Sequence, residues 1–278
     1  MATLELRPRS ATEIVDAAFQ ILRANFVPLV TLSVAAQIPM LVIRIWFARN
    51  GVNFVTGGAA AMSQLVGSVF VFGILLVLLT VLAQCAITVA ASQVYLGLAV
   101  DNGAAIGRGL QRFGYVVLTS ILILLAVGVV FGIAAALTSF LPSAARVVLI
   151  LVFVVVAIWL GLRLIPLNTV IVLEDAGPIE AIKRSLFLGE SLVGHMFVSV
   201  LVGALIYIGI AILAGIAVAV LAAIVPAIKD PSVSQIFQTA FVALVYPLFI
   251  AVLVVLYYDL RIRREGFDVE MMSRAVPR

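Results

Sequence analysis

Charge is what this sequence has least of. Only 11% of its 278 residues are Asp, Glu, Lys or Arg, while 65% are hydrophobic. A soluble domain carries roughly a quarter charged and roughly 45–50% apolar residues. A chain of this length cannot enclose so much apolar surface in water. A soluble globular protein, a disordered chain and a disulfide-rich secreted module are therefore excluded. Cysteine is nearly absent as well: Cys85 stands alone, so no intrachain disulfide forms. Histidine is represented only by His195, and with one cysteine beside it no zinc or iron site of the usual ligands is expected. No metal and no cofactor is implied.

The reaction motifs are missing too. There is no G-x-S-x-G elbow, no HExxH, no Walker A and no carboxylate pair within an apolar run. No catalytic residue is expected, and the chain does not read as an enzyme. A cleavable signal peptide needs a continuous apolar stretch that MATLELRPRSATEIVDAAFQ does not offer. The net charge of +4 raises the question of nucleic acid. No basic stripe with interleaved aromatics exists to bind one, so none is expected as a partner.

What the chain does have is long apolar runs. A helix needs about 20 apolar residues to cross the hydrocarbon layer, and six runs qualify, near residues 26–47, 65–91, 115–137, 147–173, 192–225 and 236–258. This predicts an all-α polytopic integral membrane protein, one membrane domain over residues 1–278. Gly51, Gly57 and Gly58 suggest a loop between the first two spans. Residues 259–278 read as a basic tail. Six spans put both termini on one side. That side would hold Arg7, Arg9, Arg23, Arg108, Arg112, Lys183, Arg184, Arg261, Arg263, Arg264, Arg274 and Arg278, against Arg44, Arg49, Arg146 and Lys229 opposite. The positive-inside bias makes the richer side, with both termini, cytoplasmic.

Each odd-numbered span is preceded by a short charged segment. The first, SATEIVDAAFQILRAN over residues 10–25, has the form of a capping box in Ser10 and Glu13. Ile14, Ala17, Ala18, Ile21 and Leu22 follow at helical spacing. GAAIGRGLQRF at 103–113 and GPIEAIKRSLFLGES at 177–191 are the second and third. Aligned on Ile14, Ile106 and Ile182, they suggest a degenerate three-fold repeat of interfacial helix plus two-span hairpin. The alternative is that any span entered from the cytoplasm carries a basic lead-in.

Polar groups within spans are costly and mark candidate sites. Arg163, Asn168, Gln84, Gln37 and Arg44 form that set. Arg163 lies among Gly161, Pro166 and Asn168, where proline frees a backbone carbonyl; it reads either as an anchor or as a contact for an anionic group. Arg44, beside Trp46 and Arg49, reads as snorkelling to the outer interface. His195, without a carboxylate near it in sequence, reads as facing the interface. Glu174, Asp175 and Glu180 read as a helix cap ahead of Pro178. Arg261, Arg263, Arg264, Lys183 and Arg184 are candidate contacts for anionic lipid or simple orientation signals. Gly128, Gly132 and Ala136, and likewise Ala211, Gly215 and Ala219, fall four apart and predict helix-packing ridges.

The opening LRPRSATEIVDAAFQILRANF, the middle EDAGPIEAIKRSLFLGES and the ending YYDLRIRREGFDVEMM resemble the bacterial proteins known as the glycerophosphoryl diester phosphodiesterase membrane domain. The resemblance covers essentially the whole chain and implies a multi-pass protein of the bacterial inner membrane. The phosphodiesterase domain fused to some members relies on a set of histidines and carboxylates that this chain, with one histidine, cannot provide. The expectation is a non-catalytic scaffold or subunit that binds membrane lipids or another membrane protein. The alternative is a transporter or channel for a small or lipidic solute.

Overall fold

The computed structural model describes residues 6–56, 58–138, 140, 142–225, 228 and 230–275, and among them no β-strand occurs. Ten α-helices are described: α1 (Ala11–Ala24), α2 (Phe26–Thr56), α3 (Gly58–Tyr95), α4 (Asn102–Thr138), α5 (Ser143–Arg163), α6 (Leu167–Leu173), α7 (Pro178–Leu188), α8 (Val193–Ile224), α9 (Pro231–Glu265) and α10 (Phe267–Ala275). Six stretches are long and apolar enough to cross a membrane: Phe26–Trp46, Val66–Tyr95, Asn102–Ala136, Ala145–Leu173, Val193–Ile224 and Ser232–Glu265. They match the six runs read from the sequence.

The helix starts follow from local chemistry. Ser10 accepts from the Glu13 backbone N–H, and the Glu13 carboxylate accepts from the Ser10 N–H at 2.7 Å, so the capping box of α1 is complete. Asp230 caps α9 through the Ser232 and Val233 N–H groups, and those bonds hold its carboxyl below the usual range. Gly266 ends α9 in the left-handed region at φ 63°, a conformation that glycine adopts without steric cost.

Three expectations change. Among the described residues the loop placed after Asn50 is not seen: α2 runs to Thr56 and α3 begins at Gly58, and Gly57 lies outside them. The second lead-in is not a separate helix, because nothing between Arg112 and Tyr115 breaks the backbone, and residues 103–113 continue into the span as one helix, α4. The basic tail is not a tail at first: Asp259–Glu265 complete α9, with Leu260 and Ile262 buried.

The core lies at the end of the bundle that carries the termini. There α9 is surrounded, and every residue from Val254 to Leu260 is buried. Its neighbours include α1, whose Ile14, Ala17, Ala18 and Ile21 are fully buried. Close approach of backbones is made by glycines the sequence pattern did not single out. A Cβ on Gly109 would stand 2.9 Å from the Ala86 backbone N, and one on Gly203 would stand 3.1 Å from Val252 Cγ1. The opposite, distal end is different. On α5, Val147, Val148, Ile150, Leu151, Val152, Val154, Val155, Val156 and Ile158 are all exposed. Only Leu149, Phe153 and Ala157, four apart, are half-buried, so this part of α5 turns one narrow face to the rest of the chain and leaves the remainder of its apolar surface exposed. The distal part of α8 is similar, with Ala211, Ala214, Val218 and Ala222 half-buried on one face and Ile212, Leu213, Ile216 and Val220 exposed.

The predicted small-residue ridges lie on these exposed segments. Gly128, Gly132, Gly215 and Ala219 are exposed, and a Cβ on any of the three glycines would meet nothing within 4 Å. Ala136 is exposed and Ala211 half-buried. Within one chain Gly128, Gly132 and Gly215 do not form the close helix–helix approach expected of them, which corrects the packing expectation at these positions. Spacing alone registers a small surface; it does not say what lies against it.

Candidate functional site

Charged side chains gather at the terminal end in three knots. The first is centred on Asp259, which has no solvent exposure. Its Oδ2 lies 2.8 Å from His195 Nε2 and accepts from Arg263 Nε at 2.8 Å; its Oδ1 accepts from the Arg9 backbone N–H at 2.6 Å. Arg263 Nη2 also donates to the Arg9 carbonyl at 2.7 Å. A buried carboxylate is tolerated only when paired and hydrogen-bonded, and here α8, α9 and the segment before α1 supply the partners.

The second knot joins α6, α7 and α9. Arg184 donates to both oxygens of Glu174, at 2.7 and 3.2 Å, and to both oxygens of Glu265. Burial alone would lower the Arg184 guanidinium, but the bonds to Glu265 and Glu174 overcome it and hold the cation well above its usual value. The Tyr257 hydroxyl donates to Glu174 Oε1 at 2.7 Å, and Arg261 bonds Glu265 one helical turn away at 3.2 Å.

In the third, Arg108 and Arg112 of α4 both reach Asp175. Arg108 also donates to the Val172 and Leu173 carbonyls, both at 3.2 Å, satisfying carbonyls that the end of α6 leaves open. This corrects the cap reading of the acidic cluster. Gly177 is the residue before α7 and makes no side-chain cap bond, while Asp175, at φ 59°, faces the arginines of α4. Pro178 does stand in the first turn.

The fourth span is broken. The chain leaves the helix after Arg163, turns through Leu164–Pro166 and resumes as α6. Arg163 sits at the break. Its Nη2 donates to the Leu186 carbonyl at 2.9 Å, its guanidinium carbon lies 4.9 Å from the centre of the Trp159 ring, and its Nε is buried without a protein acceptor. It lines a cavity of about 390 Å³ with Trp159, Glu190, Ser191, Val193 and Gly194.

The remaining predicted polar residues do not line the Arg163 cavity. Gln37 is buried on α2 with its Oε1 unpaired, Gln84 is half-buried on α3, Asn168 half-buried on α6 and Arg44 half-buried on α2. None of them lines the Arg163 cavity, nor the second cavity of about 340 Å³ between α4 and α5, which Phe131, Thr138, Arg146, Ile150 and Phe153 help to form. Arg44 stands about 27 Å along α2 from its first residue at helical rise, whereas Arg163 bonds to α7 at the terminal end. The two arginines belong to different ends of the bundle.

The basic set proposed for lipid is also rearranged. Arg184, Arg261, Arg263 and Arg264 each pair with a carboxylate of the chain: Glu174 and Glu265, Glu265, Asp259 and Glu190. Lys183 is exposed. His195 does not face the interface; it pairs with Asp259, 64 residues away. The sequence reading missed Asp259 and Glu190. The available signal was Asp259 itself, a lone carboxylate directly after an apolar run and four residues before Arg263.

Comparison with known proteins adds no relative. No family model, no curated protein and no solved structure matches the chain.

Proposed function

We propose that the protein is a non-catalytic multi-pass membrane protein of the bacterial inner membrane, with both termini cytoplasmic, acting as a scaffold or subunit that binds lipid or a partner membrane protein. One observation carries the reading: the contrast between the two ends of the bundle. The terminal end is locked by three charged knots, while α5 leaves all but one narrow face of its distal part apolar and exposed. Such a helix, in a membrane, is covered by lipid or by another protein. Gln37, Gln84, Arg44 and Asn168 line neither cavity, which supports the same reading, because a solute path needs polar groups along it. The resemblance to a membrane domain that accompanies other proteins agrees with it, and the excess of arginine at the terminal end supports cytoplasmic termini.

A second reading, a carrier for a small or lipidic solute, is favoured by the broken fourth span with a cation at the break, an arrangement that transporters use at substrate sites. Photo-crosslinking decides between them. A crosslinking residue at Val152, Val155 or Ile158, used in cells, should give one discrete protein adduct. Absence of any discrete adduct at all three positions, together with solute flux in proteoliposomes, would overturn the scaffold reading in favour of the carrier.

A further inference from the structure

We infer that the cavity at the break of the fourth span holds the headgroup of a zwitterionic phospholipid with a primary ammonium, of the phosphatidylethanolamine class. This deepens the lipid-binding part of the proposed function and rests on it.

The charges of the cavity are ordered along the membrane normal. Arg163 belongs to the apolar stretch Ala145–Leu173, whereas Glu190 lies outside any span, on the turn before α8. Both line the same cavity of about 390 Å³. Moving outward from the membrane, the cavity therefore offers a cation first and a carboxylate second. A phosphoethanolamine headgroup carries its charges in that order: the phosphate next to glycerol, the ammonium two carbons beyond.

The partners fit in chemical detail. The Arg163 guanidinium presents several N–H donors to a phosphate, and its Nε has no protein acceptor. The first turn of α8 adds to the positive side, since Leu192 supplies no side-chain cap and Val193 and Gly194 line the cavity. At Gly194 a Cβ would meet nothing within 4 Å, so the backbone is open to a ligand. Glu190 is 61% exposed and uses one oxygen, Oε2, to accept from Arg264 at 2.7 Å. A carboxylate has about four acceptor sites, so an ammonium can share it. A trimethylated ammonium has no N–H to donate there, and a glycerol headgroup has no cation.

The cavity also sits where a lipid would. Trp159 is half-exposed beside Arg163, a residue type that favours the level of the headgroups. Leu160 and Phe197, one helical turn from the lining residues, are exposed and apolar, a surface for acyl chains rather than for a free headgroup.

The test is titration of the purified protein, in detergent, with phosphatidylethanolamine, phosphatidylglycerol and phosphatidylcholine of identical acyl chains, read by intact-protein mass spectrometry. The wild type should prefer phosphatidylethanolamine over either competitor by about tenfold, the effect of one charge-assisted hydrogen bond. Arg163→Ala should remove the preference with the binding. Glu190→Gln, an exposed change that leaves the fold intact, should equalise phosphatidylethanolamine and phosphatidylglycerol while phosphatidylglycerol still binds. Soluble phosphoethanolamine at equal concentration should displace nothing. Equal binding of the three lipids by the wild type, a preference that survives either substitution, or displacement by soluble phosphoethanolamine would each overturn the inference. Failure here, in a protein that still holds a partner or an anionic lipid, ends this inference and leaves the scaffold reading standing. Solute flux through the reconstituted protein ends the scaffold reading and leaves the lipid preference to be read separately.

Discussion

His195 Nε2 lies 2.8 Å from Oδ2 of Asp259, a carboxylate with no solvent exposure, and the backbone N–H of Arg9 meets the other oxygen at 2.6 Å. One side chain thus fastens α8, α9 and the chain's first described segment together. Removing it leaves His195, Arg263 and the Arg9 N–H without their acceptor. Breaking a buried charged pair costs about 3–5 kcal/mol; because Arg263 is 30% exposed and water can recover part of the loss, Asp259→Ala should destabilise the protein by about 3 kcal/mol. Thermal unfolding in detergent reads the size. Trypsin reads the place: cleavage after Arg9 should be faster in the variant than in the wild type, and an unchanged rate would contradict the fastening role.

The capping box of α1 makes its stability depend on acid. The Glu13 carboxyl is lowered from 4.5 to about 2, chiefly by the Ser10 backbone N–H and then by Arg7, 2.5 Å away. A folded-state value below the unfolded one means stabilisation that is complete above about 4.5 and lost as the pH falls towards 2. Amide exchange in α1, corrected for intrinsic rates, should therefore stay constant from neutral pH to about 5 and rise below it. In Glu13→Gln that rise should disappear. Persistence of the same rise in the variant would place the acid sensitivity elsewhere.

Two kinds of glycine should respond oppositely to alanine. At Gly109 the new Cβ would meet the Ala86 backbone N at 2.9 Å and Cα at 3.1 Å, and backbone cannot step aside as a side-chain tip does. Gly109→Ala should cost about 1–3 kcal/mol by overpacking. Gly128→Ala and Gly132→Ala meet open space and should leave monomer stability within about 0.5 kcal/mol or improve it. A comparable loss at all three would mean that the α4 ridge is packed after all.

Arg184 bridges two carboxylates, Glu174 and Glu265, which without it would keep only Tyr257 and Arg261 as partners. Its substitution by Gln should destabilise by about 2 kcal/mol, discounted for the 25% exposure of its side chain. A double-mutant cycle with Glu265→Gln should show coupling, with the pair costing less than the two single changes together. Additive losses would mean that the second knot contributes no pairwise energy.

Orientation can be read with single cysteines, since Cys85 is buried and replaceable. In a Cys85→Ala background, Phe140→Cys at the distal end should react with a membrane-impermeant maleimide in intact spheroplasts. Ser273→Cys, on α10, should react only after lysis. The reverse pattern would place the termini outside.

The legible part of the sequence was what depends on near neighbours in the chain. Ser10 with Glu13 announced the start of α1, Pro166 announced the break after Arg163, and the apolar runs announced the six spans. Contacts across the fold left no such trace. His195 and Asp259 are 64 residues apart, and nothing near His195 indicates that a carboxylate will reach it. The arginines after the last span looked like a lipid-facing cluster, because sequence shows charge but not the carboxylate opposite; Glu265, Asp259 and Glu190 consume them. Gly128, Gly132 and Gly215 matched a packing pattern in spacing, while the true close approaches at Gly109 and Gly203 depend on which helices meet. The cavity requires three separate segments, the end of α5, the turn at Glu190 and the start of α8, and only Arg163 among its charged groups stands out in the sequence, as a cation within an apolar run.

The most direct test of the account is native mass spectrometry of the protein released gently from its own membrane, with identification of everything that stays bound. The scaffold reading predicts a defined membrane protein or a retained phospholipid at fixed stoichiometry. A bare chain that carries neither, in conditions where other membrane complexes survive, would contradict it.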